Sequence, residues 1–221
     1  MNVKPILFNT PMTRAILEGR KTQARRIIKP QPTNPRWNNI GWLGWDDGHG
    51  YRMKPPCETG GILWVRETWA RISDYTCVDP ELGMPDGYIY RADWGNDTNQ
   101  SKWRPSIYMP KEAARIFLRV NDVRIAPLQS MTTEDAKKEG AETDEWNELR
   151  DEVAVVGLST WSLREFFGYH IWDKTITRKE NWNRYGWDIN PWVWVIEFER
   201  CEKPKEWSIG IHNVYGECET K

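Results

Sequence analysis

Cysteine and histidine are scarce in this chain. Four cysteines (Cys57, Cys77, Cys201, Cys218) and three histidines (His49, His170, His212) are scattered over 221 residues. There is no CxxC pair and no metal-ligand spacing, which argues against a structural zinc site and leaves no metal or cofactor to expect. The cysteines are expected to be reduced packing residues of a cytoplasmic protein, with Cys218 exposed on the tail. No run approaches the roughly 18 apolar residues of a membrane span, and the opening MNVKPILFNTPMTR has no apolar signal core, so no membrane association is expected. A strong excess of either charge is also missing: the net charge is −1, which excludes the uniformly basic profile of a histone-like binder.

What is present in quantity is tryptophan, 15 residues of it. Tryptophan buries a large area, keeps one N–H that needs a partner, and offers a flat face for stacking, so core packing and ligand stacking both draw on it. Core packing is expected to take the larger share. The charges are segregated. Residues 1–36 carry eight bases (Lys4, Arg14, Arg20, Lys21, Arg25, Arg26, Lys29, Arg36) against Glu18, and residues 139–152 carry seven acids against Arg150. A basic face suits a phosphate-bearing partner; the acidic stretch is expected as a solvated surface.

Periodicity and punctuation divide the chain. Lys4 to Phe8 is extended; Thr10-Pro11 supplies a helix N-cap and first-turn proline, followed by the apolar stripe Met12, Ile16, Leu17 and a stop at Gly19. Lys21 to Ile28 is expected as a strand. Residues 30–58, rich in Pro, Asn, Gly and Trp, read as a loop or irregular hairpin carrying Trp37, Trp42 and Trp45, and 73–87 as a second irregular insertion. Ile62 to Ile72 and Pro191 to Arg200 read as strands, with a short strand at 88–94 and an extended run at 116–128. Thr132-Thr133-Glu134-Asp135 opens a short helix ending at Gly140. Further helices are expected from about Thr143 and from Ser159 or Thr160 to about Lys174, within a helical insertion at 141–190. Residues 201–221 read as a polar tail. Without regular βαβ alternation, this order predicts an α+β barrel in one domain over residues 1–200.

The stretch ILEGRKTQARR (Ile16 to Arg26) resembles the signature of the ASCH-domain family: a helix end, glycine, Lys-Thr and an arginine shortly after. GGILWVRET (Gly60 to Thr68), MTTEDAKKEG (Met131 to Gly140) and WVWVIEFE (Trp192 to Glu199) extend the resemblance over nearly the whole chain. Trp103 to Val120 looks in particular like the ASCH proteins of phages and prophages. The resemblance implies a PUA-like (ASCH) small mixed β-barrel with flanking helices and Trp-rich loop insertions, whose cleft faces nucleic acid or a nucleoside. One branch, the N4-acetylcytidine amidohydrolases, uses a lysine of the Lys-Thr motif, a threonine three residues on and a glutamate of the short helix. Lys21 and Glu139 match the first and last. Ala24 stands at the threonine position, with Thr22 on the same strand face but displaced by roughly 6.5 Å, and Gly61 replaces the family's usual aspartate.

A lysine and a glutamate held together can move a proton and stabilise developing negative charge, so Lys21, Glu139 and Thr22 are the candidate catalytic residues. Neighbouring Arg20, Arg25 and Arg26 would lower the Lys21 pKa, and Glu139 would raise it. The alternative is an ordinary salt bridge clasping helix to barrel. Arg25 and Arg26 alternate across their strand, so at most one is expected to face the cleft, where a planar guanidinium suits phosphate or a base edge. Trp64, Arg66, Glu67, Trp69 and Ser106 complete the candidate base-binding set, with barrel core as the alternative for Trp64 and a plain turn for Ser106. His170 is expected as a core histidine. Three functions compete: a nucleic-acid or modified-nucleobase binding module, with single strands or RNA favoured; a hydrolase of a modified nucleoside such as N4-acetylcytidine, or of RNA, acting through Lys21 and Glu139; and a phage accessory protein that binds a protein partner. Ala24 favours the first over the second, and the basic N-terminal face favours the first two over the third.

Overall fold

A computed structural model describes residues 3–38, 41–46, 49–71, 87–94, 102–155, 161–205 and 207. Its centre is a mixed five-stranded sheet built from β1 (Val3–Leu7), β2 (Gln23–Ile27), β6 (Ile62–Arg66), β9 (Phe117–Pro127) and β10 (Trp192–Cys201), in the order β1-β6-β9-β10-β2. Only the β1–β6 pair is parallel, from Val3↔Ile62 to Leu7↔Arg66; the others are antiparallel. The long β9–β10 ladder carries one register shift, between Glu197 and Phe198. A bulge there strengthens the local twist.

This sheet with flanking helices fits the α+β arrangement that the ASCH resemblance implies, with one correction. The sheet is open: β1 and β2 are its edges, and no backbone ladder joins them. A side chain spans the gap, as Arg26 Nη2 of β2 donates to the Leu7 carbonyl at 2.9 Å.

The near-continuous apolar run of β10 follows from burial on both faces, which removes the need for polar alternation. Val193 and Val195 join a core with Leu128, Met131, Ala136, Trp146, Phe166, Phe167, Trp172 and Trp187. Ile196 and Phe198 join another with Ile6, Phe8, Ile16, Ala24, Leu63, Val65 and Leu118. The second core is covered by α1 (Thr10–Leu17), whose N-cap is Asn9 rather than Thr10. The Asn9 side chain accepts from Met12 N at 3.0 Å, placing Thr10 and Pro11 inside the first turn.

Other boundaries shift for local reasons. The run expected as one strand over 62–72 divides into β6 and β7 (Trp69–Arg71), the latter pairing with β8 (Tyr88–Tyr90) in a separate ribbon. Where an irregular hairpin was expected, three strands, β3 (Arg36–Asn38), β4 (Gly41–Asp46) and β5 (His49–Arg52), pair as an antiparallel meander; Trp37 stands opposite Trp42 in its register. Residues 72–86, Cys77 and Cys218 lie outside the described residues. Beyond β10, the chain expected as a loose tail returns Trp207 onto Trp64 and Phe117, at ring separations of 5.6 and 5.2 Å. Among the described residues no helix is long and apolar enough to cross a membrane.

The helical stretch comprises α2 (Thr133–Lys138), α3 (Asp144–Val155), α4 (Leu163–Phe166) and α5 (Trp182–Tyr185). The helix expected to run on to Lys174 changes to a π-helical segment over Phe167–Trp172. Its wider turn buries Phe167, Gly168 and Trp172 together. Gly168 is required there, since a Cβ would fall 2.2 Å from the Trp187 ring. Gly168→Ala should therefore lower stability by about 1–3 kcal/mol through overpacking, measured as the urea midpoint; an unchanged midpoint would show that the π segment can shift to make room.

Candidate functional site

Two chain reversals build the site. α1 ends at Gly19 (φ +76), after which the N–H groups of Arg20 and Lys21 both bond to the Ala15 carbonyl. α2 opens on a capping box between Thr132 and Asp135 and ends at Glu139, followed by Gly140 (φ +77). The left-handed conformation suits glycine at both stops. At Gly140 a side chain would also meet the Ala15 Cβ at 2.9 Å, so the two reversals pass in close contact. The approach sets up an isolated antiparallel bridge between Lys21 and Glu139, and Thr22 N donates to the Lys138 carbonyl at 2.8 Å.

Lys21 and Glu139 meet inside the protein, 2% and 4% exposed. The ammonium donates to Glu139 Oε2 at 2.7 Å, to the Glu139 carbonyl at 2.9 Å and to the Gln23 carbonyl at 2.8 Å. All three ammonium protons are thereby engaged. The other Glu139 oxygen, Oε1, accepts from Arg25 Nη1 at 2.9 Å. Arg25, also buried, reaches the Gln23 side-chain oxygen and lies 3.5 Å from Asp135 Oδ2. Gln23 Nε2 donates to Asp135 Oδ1 and to Glu197 Oε1, and Arg124 closes the chain on Glu197 at 2.7 Å.

Burial is the largest influence on the Lys21 pKa and lowers it; the Glu139 charge and hydrogen bond oppose that, and Arg26 and Arg25 add to the lowering. The sequence had weighed neighbouring charges alone. Desolvation, which only the folded chain imposes, outweighs them, and the ammonium titrates below its ordinary range.

Above this cluster opens a cleft of about 1630 Å³. Arg25, Arg26 and Glu139 contribute to its floor, Phe8, Phe167 and Trp172 supply aromatic surface, and Ser106 and Thr68 lie at another part of its wall. Lys21 and Thr22 do not line it. Arg25 and Arg26 both do, correcting the expectation that strand alternation would admit only one. β2 is an edge strand, which leaves Arg26 free to curl towards Leu7 and lie over the Phe8 ring at 5.2 Å.

The remaining candidates are placed away from the cleft. Trp64 is buried against Trp207, with Arg66 over its ring at 5.5 Å. Trp69 is buried beneath Arg104. Glu67, 1% exposed, pairs with Arg115 at 2.8 and 3.0 Å. Burial pushes the Glu67 carboxyl up despite that partner. Ala24 is fully buried in the α1 core, so no hydroxyl stands at that position.

Sequence reading missed several parts of the site. Gln23 and Asp135 join the two halves of the polar cluster; the Asp135 capping role was legible, its second role was not. The acidic segment, expected as solvated surface, brings Glu142, Asp144 and Glu145 to the cleft wall. His170, expected in the core, is a half-buried wall residue stacked on Phe166 at 4.8 Å, with Nδ1 3.3 Å from Glu145. Among the described residues no cluster of His, Cys, Asp or Glu could hold a metal ion.

No family model matches the chain, and no curated protein matches it. Two solved structures are similar to it. One is the ASCH domain from Lactobacillus crispatus JV V101, with 12% identity over 91% of this chain and 81% of that one, at a TM-score of 0.36. The other is protein EF3133 of the DUF984 family from Enterococcus faecalis V583, with 9% identity over 92% and 82% of the two chains, at a TM-score of 0.35. The α+β reading rests on the five-stranded sheet and its flanking helices.

The cluster should make the two partners unequal. Losing Lys21 leaves Glu139 with Arg25, whereas losing the Glu139 charge leaves two buried cations facing each other. Glu139→Gln should cost about 3–5 kcal/mol, the range for a broken buried pair, and Lys21→Met less; urea denaturation measures both, and the reverse order would contradict this electrostatic account. Burial pushes the Asp135 carboxyl up, but the Thr132 backbone bond, the Arg25 charge and Gln23 outweigh it, so its pKa lies below 3.8. A carboxylate lowered on folding adds stability that is full above its unfolded pKa and lost as pH falls through the folded one. Asp135→Asn should therefore flatten the acid limb of a stability profile below pH 3.8; an unchanged limb would remove Asp135 from the ledger of acid unfolding.

Proposed function

We propose that the cleft binds a nucleobase or nucleoside, free or within a single-stranded nucleic acid, and that it recognises without cutting. The observation that carries this reading is the cleft lining, where the Arg25 guanidinium and the Glu139 carboxylate lie side by side and Phe8, Phe167 and Trp172 contribute aromatic edges. A base needs that combination: a donor fork and an acceptor for its edge, and flat apolar walls for its faces. The cleft exceeds the roughly 300–1,000 Å³ of small-molecule pockets, which leaves room for chain on either side of one nucleoside.

Electrostatics restrict how a strand would lie. Arg14, Arg26 and Lys29 line the α1 and β2 side, while Glu142, Asp144 and Glu145 line the side that follows α2, where Lys174 pairs with Glu145. Phosphates are accommodated on the first side and repelled by the second. This asymmetry suits one strand and disfavours a duplex filling the cleft.

Hydrolysis is the second reading, favoured by the pairing of Lys21 with Glu139 at 2.7 Å. Against it, the Lys21 ammonium is saturated by three acceptors, lies outside the cleft lining, and has Ala24 three residues on in place of a threonine. In the binding reading the lysine holds Glu139 in position.

Tryptophan fluorescence titrated with cytidine, N4-acetylcytidine and short single strands tests the choice. Quenching that falls steeply with salt for strands, weakening by about tenfold or more in Arg25→Lys, whose point charge cannot replace a planar fork, is the expected result. N4-acetylcytidine turnover that disappears in both Lys21→Ala and Glu139→Gln would replace the binding reading with the hydrolytic one.

A further inference from the structure

The candidates Arg66 and Trp64 lie outside the cleft, yet they belong to an organised surface beside it. Trp64 and Trp207 pack at a ring separation of 5.6 Å, and a cation caps each indole: Arg66 over Trp64 at 5.5 Å and Lys111 Nζ over Trp207 at 4.1 Å. Neither cation makes an ion pair with a described residue. This distinguishes them from nearby Arg115, which is neutralised by Glu67 and Asp93.

Arg66 Nη2 also donates to the Ile107 carbonyl, tying the stack to the tight turn over Ser106–Tyr108. That turn is rigidly presented. Tyr108 N bonds to the Pro105 carbonyl and Met109 N to the Ser106 carbonyl, while Met109, 1% exposed, anchors its end against Trp69 and Ala113. At the tip Tyr108 is 71% exposed, and its ring stacks on no described residue. Pro105 and Ser106 in the same turn line the cleft, so the surface and the cleft share an edge.

An exposed ring on a hydrogen-bonded turn, with Arg66 tied to the residue before it and Lys111 three residues after it, both without carboxylate partners, has the chemistry of a single-strand platform: the ring stacks a base and the cations meet phosphates. We propose that Tyr108, with Arg66 and Lys111, forms a second contact for single-stranded nucleic acid, carrying the flank of a strand whose neighbouring base occupies the cleft. The continuity with the cleft rests on the function proposed above; the charge and stacking of the surface do not.

Fluorescence anisotropy with a labelled, unstructured RNA oligonucleotide and its DNA counterpart tests it on the full chain, alongside titration with the free nucleoside. Tyr108 and Lys111 are exposed, so Tyr108→Ala and Lys111→Ala are expected to fold with unchanged melting temperature. Tyr108→Ala should weaken oligonucleotide binding by about fivefold to a hundredfold, the span of one stacked base, and leave nucleoside binding unchanged. Lys111→Ala should reduce the slope of log affinity against log salt by about 0.7, one phosphate contact on a single strand. Loss of binding in Tyr108→Ala but not in Arg25→Lys would keep this surface and reject the cleft as the base site. Loss in Arg25→Lys with full oligonucleotide affinity in Tyr108→Ala would reject this surface and keep the cleft. Failure of the unaltered protein to bind either oligonucleotide at low salt overturns the proposal outright.

Discussion

A single carboxylate shared by two buried cations organises this protein. Glu139 takes Lys21 on one oxygen and Arg25 on the other, and all three are nearly excluded from water. Removing such charges from solvent costs several kcal/mol per ion, a cost offset only when each donor finds an acceptor. The surroundings meet that condition through backbone carbonyls of Gln23 and Glu139 and through the side chains of Gln23 and Asp135. The geometry is therefore unforgiving. It locks the end of α1, the start of β2 and the end of α2 into one relation, and the cleft is what lies above them.

The same cluster explains why the site favours recognition over chemistry. A catalytic lysine needs a free proton or a free lone pair at the reacting atom, and here every ammonium proton is already donated within the protein. What reaches the cleft lining instead is the outer edge of the cluster, Arg25 and Glu139, themselves largely buried and held in a fixed orientation. Prior ordering of polar groups lowers the entropic cost of binding, and a network that cannot move without burying an unpaired charge is strongly ordered. The open sheet adds to this, because its edge strand β2 lets Arg26 reach across to Leu7 and bring a second guanidinium to the floor.

Much of the fold was legible in the sequence. The strands at 3–7, 62–66, 117–127 and 192–201, the helix stop at Gly19 and the capping of α2 follow from alternation, capping chemistry and glycine placement, all of which act over a few residues. The errors share a cause. Asn9 displaced Thr10 as the cap because both residue types can cap, and only the realised backbone chooses. The π segment at Phe167–Trp172 arises where Gly168 meets Trp187, a contact between positions 19 residues apart in the numbering that no local pattern encodes. The meander of β3, β4 and β5 carries the asparagine and glycine of a loop within strands whose pairing decides otherwise.

For the site, the sequence by itself determined which chemical groups were available: the Lys-Thr motif after Gly19, the glutamate before Gly140, arginines on a short strand and an abundance of indoles. Those are properties of residue type and local order. Tertiary structure decided what the groups can do. It placed Lys21 beneath the cleft instead of in it, brought the acidic segment to the wall, and moved Trp64 and Arg66 to a neighbouring surface. The physical reason is that desolvation and charge pairing depend on distances between residues more than a hundred positions apart, such as Lys21 and Glu139, and those distances exist only once the sheet has formed.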